Sequence, residues 1–203
     1  MSVSISIELS EEDLKHFGEA MKAARETAGS RSQEEIVAAA GKLLAEGQGG
    51  QLPAFIRERL DRLDALIAMV RDEGWALPGE DRQRVLAALV YFADPADSIP
   101  DHVPVLGFLD DALMIELCVR DLQHELDAYD DFCEYRAHEA RKREVEPDQV
   151  GRAQWLEGRR EELLERMHRR RERDVGVGYG RSSGYGGRAR YARAWRPGIL
   201  KVT

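Results

Sequence analysis

The stretch Asp94–Asp111 reads DPADSIPDHVPVLGFLDD, and the rest of the chain is read outward from it. It holds three prolines, five aspartates and one glycine, with Ile99, Val103, Val105, Leu106, Phe108 and Leu109 spaced among them. Proline restricts its predecessor to extended backbone, which places Ile99 and Val103 outside any helix. Asp94 before Pro95 has the form of an N-cap with proline at the first helical position, opening a single turn. Gly107 permits a sharp bend. Asp110 and Asp111 fall at the cap or first turn of a following helix, where carboxylates accept free backbone N–H groups. A Pro-interrupted loop buried by its own apolar side chains needs acceptors for its unpaired amides, and aspartates supply them.

Helical patterns flank this stretch on both sides. Upstream, Ser10 starts a helix whose apolar stripe is Leu14, Phe17, Met21, Ala24 and Ala28, ended by Gly29. Ser32 and Glu35 form a capping box for a second helix with Ile36, Val37, Ala40, Leu43 and Leu44 on one face. From Pro53, Phe55, Ile56, Leu60, Leu63, Leu66, Ile67 and Val70 recur at helical spacing up to Gly74, and Trp75 and Leu77 are expected to fold back onto the core. Asp81–Ala93 is apolar on every side from Val85 to Phe92, the mark of a helix at the centre of a bundle or against a membrane.

Downstream, a single helix is expected from about Leu109 to beyond Arg141. Its seam is Ile115, Cys118 or Val119, Leu122, Leu126, Tyr129 and Cys133. A last helix is expected over Asp148–Arg173. Two segments depart from the helical pattern. Val3–Leu9 alternates as V-S-I-S-I-E-L and reads as a short strand, with Gly198–Thr203 as its pairing candidate. Residues 174–203 are rich in Gly, Arg, Tyr and Ser and are expected to be a flexible, disordered tail. The expected fold class is therefore all-α: a multi-helix bundle with a Pro/Asp-rich central loop, one N-terminal strand and a basic tail. Residues 1–79 hold the strand and three helices, residues 80–173 the central motif and the long C-terminal helices, and both parts make one domain.

Composition narrows the function. The net charge is −8, yet Arg169–Thr203 carries ten Arg or Lys against two acids, or +8, which leaves −16 on the other 168 residues. The acidic body is a poor nucleic-acid surface, and the basic tail is the one segment suited to it, over residues 169–196. Cys118 and Cys133 lie fifteen residues apart on one expected helix, about 22 Å at helical rise. They read as reduced thiols of a cytoplasmic protein. The first residues, MSVSISIELSEED, do not form a secretory signal, and neither Val85–Ala93 nor Ala112–Val119 is long enough to cross a bilayer.

The pattern Tyr91, Pro95, Asp97, Ile99-Pro100-Asp101, Val103-Pro104, Leu106-Gly107 and Leu109-Asp110-Asp111 resembles the signature of the bacterial YkvA-like family, also called domain of unknown function 1232. The resemblance covers about residues 80–120. Ser98 stands where the family more often has Leu, and His102 where an aliphatic or aromatic residue is common. Both make this copy more polar. The resemblance implies a small helical module, with members described as membrane-associated or uncharacterised, and it brings no reaction with it.

The motif residues Tyr91, Asp94, Pro95, Asp97, Pro100, Asp101, Pro104, Gly107, Asp110 and Asp111 read first as structural: capping, turning and amide satisfaction. The sharper alternative is a divalent-cation site. Asp97, Asp101, Asp110 and Asp111 would supply oxygen-only ligands for Mg²⁺, Mn²⁺ or Ca²⁺, to activate water for hydrolysis. Adjacent helical residues such as Asp110 and Asp111 diverge by about 100°, so such a site needs tertiary convergence. No cofactor is otherwise expected. The favoured function is a non-enzymatic structural or interaction module, cytoplasmic or peripheral to the inner membrane. It would engage a protein partner, a second copy or a membrane surface through the helix at 109–141 and the apolar helix before the motif.

Overall fold

The structure is a computed structural model that describes residues 10–48, 54–92 and 109–174. These form seven α-helices: α1 Glu11–Ala28, α2 Gln33–Gln48, α3 Ala54–Arg71, α4 Gly79–Phe92, α5 Leu109–Asp121, α6 Gln123–Lys142 and α7 Gln154–Asp174, with a single 3₁₀ turn at Pro147–Gln149. No strand occurs among the described residues. The expected strand Val3–Leu9, its partner Gly198–Thr203 and the tail from residue 175 lie outside them.

Local chemistry accounts for the helix ends. The Glu35 amide donates to Ser32 Oγ at 3.2 Å, and the Ser32 amide donates to Glu35 Oε2 at 3.0 Å, a complete capping box at the start of α2. That pairing with Ser32 holds the Glu35 carboxyl below its ordinary value. Helix α4 is the centre expected from its composition: Val85, Leu86, Ala87, Ala88, Leu89, Val90 and Phe92 are all buried. It packs against α1, α2, α3 and α5. Helix α3 is its equal, buried at Leu63 and continuously from Ala65 to Val70. It touches α2, α4, α5 and α6 and so joins the two halves of the bundle. Helices α6 and α7 pair with each other on the far side.

Two sequence expectations are corrected. The helix expected to run unbroken from Leu109 past Arg141 is two helices that meet at Leu122, whose ψ of 17° departs from helical geometry. The Arg84 guanidinium reaches the Asp121 carbonyl at 3.1 Å, a group that an unbroken helix would offer to the Glu125 amide. A side chain inserted at that rung redirects the axis. The last helix begins at Gln154 rather than Asp148, because Pro147 directs the chain into a 3₁₀ turn and an extended Val150 first. The seam residues Ile115, Cys118, Val119, Leu122, Leu126, Tyr129 and Cys133 are all buried within the chain.

The α3–α4 connection is the most constrained part of the fold. Asp72 Oδ1 accepts from the amides of Gly74 at 2.9 Å and Trp75 at 3.2 Å, and from Arg136 Nη1 at 2.8 Å. Asp72 Oδ2 accepts from Tyr129 Oη at 2.9 Å and from Arg136 Nη2 at 2.7 Å. Burial pulls the Arg136 guanidinium down, and the hydrogen bonds and charge of Asp72 outweigh it and raise it. Burial, with Cys133 and Asp72 beside it, pushes the Tyr129 hydroxyl well up, so Tyr129 remains a donor. Gly74 is required by contact: a Cβ there would lie 3.0 Å from the Gly151 carbonyl and 3.1 Å from Arg136 Nη1. Trp75, fully buried, rests on Phe132 and Tyr129 with ring centroids 5.1 and 5.9 Å away. Arg160 of α7 closes the loop from outside, donating to the carbonyls of Trp75 and, at 2.7 Å, Ala76.

Breaking a buried pair strands its remaining charge. Arg136→Met is therefore expected to cost about 4 kcal/mol in urea unfolding. The double variant with Asp72→Asn should recover part of that loss, because it leaves no lone charge behind.

Candidate functional site

The site residues named from the sequence surround the junction between α4 and α5. Tyr91, on the last turn of α4, is half-buried. Its ring meets Phe17 of α1 edge-on at 5.9 Å, and its hydroxyl points at Met114 Sδ at 3.8 Å. Asp94, Pro95, Asp97, Pro100, Asp101, Pro104 and Gly107 lie outside the described residues. Asp110 and Asp111 sit in the first turn of α5, with side chains outside the description. The proposed meeting of Asp97, Asp101, Asp110 and Asp111 on a cation thus falls outside it too. Among the described residues no three His, Cys, Asp or Glu side chains are grouped to hold a metal ion.

The other end of α4 carries an ionic network that sequence reasoning did not identify. Asp81, in the first turn of α4, is almost fully buried. Its Oδ1 accepts from Arg171 Nη1 at 2.6 Å, and its Oδ2 lies 2.7 Å from His168 Nε2, both on α7. Glu125 of α6 is fully buried, and its Oε1 accepts from Arg171 Nη1 and Arg84 Nε, each at 3.0 Å. Glu125 Oε2 is buried with no hydrogen-bond partner. Arg84 also pairs with Asp121 Oδ2 at 3.2 Å. Burial works against the Arg171 guanidinium, and its bonds to Asp81 and Glu125 outweigh this and raise it. The network ties α4 to α5, α6 and α7 at one end.

This changes the reading of the basic run. Arg171 belongs to the interior network, whereas Arg169 is exposed. The signal that would have found the network is the placement of Glu125 between Leu122 and Leu126 on the apolar seam, where an unpaired carboxylate would be costly. His168 and Arg171, three apart on α7, then share a helical face toward it. On the α3–α5 side, Glu116 of α5 pairs with Arg59 at 3.2 Å and Arg120 at 3.0 Å.

The two arginines should respond differently to the same change. Arg171→Met is expected to destabilise the protein by about 3 kcal/mol, since it leaves Asp81 and Glu125 short of a cation. Arg169→Met should stay within about 0.5 kcal/mol. Thermal unfolding of the two variants side by side checks this.

With this geometry in view, comparison with known proteins adds one finding. Residues 83–117 match the family described as "Protein of unknown function (DUF1232)". No curated protein and no solved structure matches the chain. The match runs from the body of α4, through residues 93–108, to Leu117 of α5. Over that segment, about a sixth of its length, the chain is similar to the DUF1232 family.

Proposed function

We propose that the protein is a non-enzymatic interaction module, a helical scaffold that presents residues 93–108 to a partner. One observation carries this reading: how the bundle uses its buried ionisable side chains. Asp72 and Arg136 join α6 to the α3–α4 connection. Asp81, Glu125, Arg84, Arg171 and His168 fix the N-terminal end of α4. Arg160 secures the Trp75–Ala76 carbonyls. Each of these groups links one element of the bundle to another, the work of a scaffold. Helix α4 ends at Phe92 and α5 begins at Leu109, on either side of residues 93–108.

The favoured partner is a protein, with the apolar Ile99, Val103, Val105, Leu106 and Phe108 as contacts. The apolar seam of α5 and α6 faces inward, so a partner bound along 109–141 would meet their polar side. No described helix is long and apolar enough to cross a membrane.

The competing reading is a divalent-metal hydrolase at Asp97, Asp101, Asp110 and Asp111. A ligand that binds only the folded state raises the unfolding midpoint. The scaffold reading expects Mg²⁺, Mn²⁺ and Ca²⁺ to leave the midpoint of the wild type and of the Asp110→Asn, Asp111→Asn double variant unchanged. A cation-dependent rise that the double variant loses would overturn it. A photo-crosslinking residue at His102 should capture a discrete protein, and the same residue at Glu34, exposed on α2, should not.

A further inference from the structure

Residues 175–203, which follow α7 in the sequence, differ in chemistry from the rest of the chain. They hold five Arg and one Lys, and no Asp or Glu. All 38 acids therefore fall in residues 1–174, where 24 Arg or Lys leave a net −14. Four of the nine Tyr and Trp of the chain lie in the same 29 residues. Tyr179, Tyr185, Tyr191 and Trp195 each stand within three residues of an arginine: Arg181, Arg188, Arg190 and Arg196 in turn. The residues between them are Gly, Ser, Ala and Arg, so the stretch has no aliphatic face to bury in a core or a bilayer.

Helix α7 supplies a fixed root for this segment. Its last turns are held to the bundle by His168 and Arg171, and Asp174, its final residue, has Oδ2 2.7 Å from His124 Nε2 of α6. The arginines of the run divide accordingly. Arg171 is committed to Asp81 and Glu125. Arg169 and Arg173 are exposed, and at four residues apart they share one face of the helix. Arg169 pairs with Glu165 at 3.8 Å, but both side chains are more than half exposed, so the pair is weak. Two cations that the fold does not use thus lead directly into residue 175.

We propose that residues 175–203, with Arg169 and Arg173 at their root, bind single-stranded nucleic acid. The guanidinium groups pair with the phosphates, and the rings of Tyr179, Tyr185, Tyr191 and Trp195 stack on unpaired bases. Five Arg to one Lys suits this task, because the planar guanidinium both forks onto a phosphate and stacks on a ring. An acidic protein would be met by charge alone, which gives the four aromatics no role. A duplex keeps its bases stacked inside and offers the rings nothing. The net −14 of residues 1–174 repels phosphate, so the strand is confined to this segment and its root. The inference does not depend on the interaction-module reading.

The test is fluorescence anisotropy of a labelled oligo-dT of about 20 nucleotides, titrated with the full chain. Binding is expected, and the logarithm of the affinity should fall with the logarithm of salt at a slope of about −5, from eight cations at about −0.7 each. Arg169→Gln with Arg173→Gln should flatten that slope by about 1. Tyr179→Ser, Tyr185→Ser, Tyr191→Ser and Trp195→Ser together keep every charge and should weaken binding at least about tenfold, with the thermal midpoint unchanged. No binding at about 50 mM salt would overturn the proposal. So would an aromatic variant that binds as the wild type does, which leaves only a charge run. Equal affinity for a duplex of the same length, for polyglutamate or for phosphatidylserine vesicles would overturn it as well.

Discussion

The ion pair between Asp72 and Arg136 is the constraint on which the rest of this bundle depends. Both side chains are almost wholly buried, and removing two charges from water is costly. The cost is offset because the carboxylate receives five hydrogen bonds, two of them from the planar guanidinium in a bidentate fork. Two more come from backbone amides of the α3–α4 connection. The pair therefore determines the path of the chain between the two central helices as well as joining α3 to α6. Gly74 has no room for a side chain beside it, and Ala76 adopts a left-handed φ of 44° within the same turn. Such a backbone persists only where the surroundings over-determine it, here through Arg160 on the Trp75 and Ala76 carbonyls.

The direction of α4 follows from that turn. At its N-terminal end Asp81 and Arg84 reach α5, α6 and α7, and that network supplies the charges that the interior of an acidic chain needs. Along its length it is apolar on all sides. At its C-terminal end it carries Tyr91, and the Pro/Asp-rich residues 94–111 follow in the sequence. The N-terminal end of α4 is thus bound by the ionic network, and α1 packs along its length, with Phe17 against Tyr91.

Much of this architecture was legible in the sequence, for identifiable reasons. Ser32 and Glu35 formed the capping box because the motif is local and its two bonds are three residues apart. The central place of α4 followed from eight consecutive apolar or aromatic residues, and the return of Trp75 to the core from its size and position beside Gly74. The buried charges were less legible. Asp72 and Arg136 are 64 positions apart, and each resembles an ordinary charge on a helix surface until the fold brings them together. A local clue existed: Asp two residues before Gly suits a side chain that turns back onto the backbone. Arg136 also follows Tyr129 and Cys133 at helical spacing on the apolar seam, where a lone cation would be costly. The break at Leu122 had no local signal, since neither Pro nor Gly lies there. Its cause is Arg84, 37 residues earlier, at the Asp121 carbonyl.

Native-state hydrogen exchange of the Gly74 and Trp75 amides tests the central account most directly. These two amides lie outside any helix and donate to one carboxylate. If the Asp72–Arg136 pair organises the fold, both should exchange only through global unfolding, with the same free energy as the buried amides of α4. Exchange by local opening, at the rate of a surface loop, would contradict that account and make the pair a passenger in a core held by apolar packing alone.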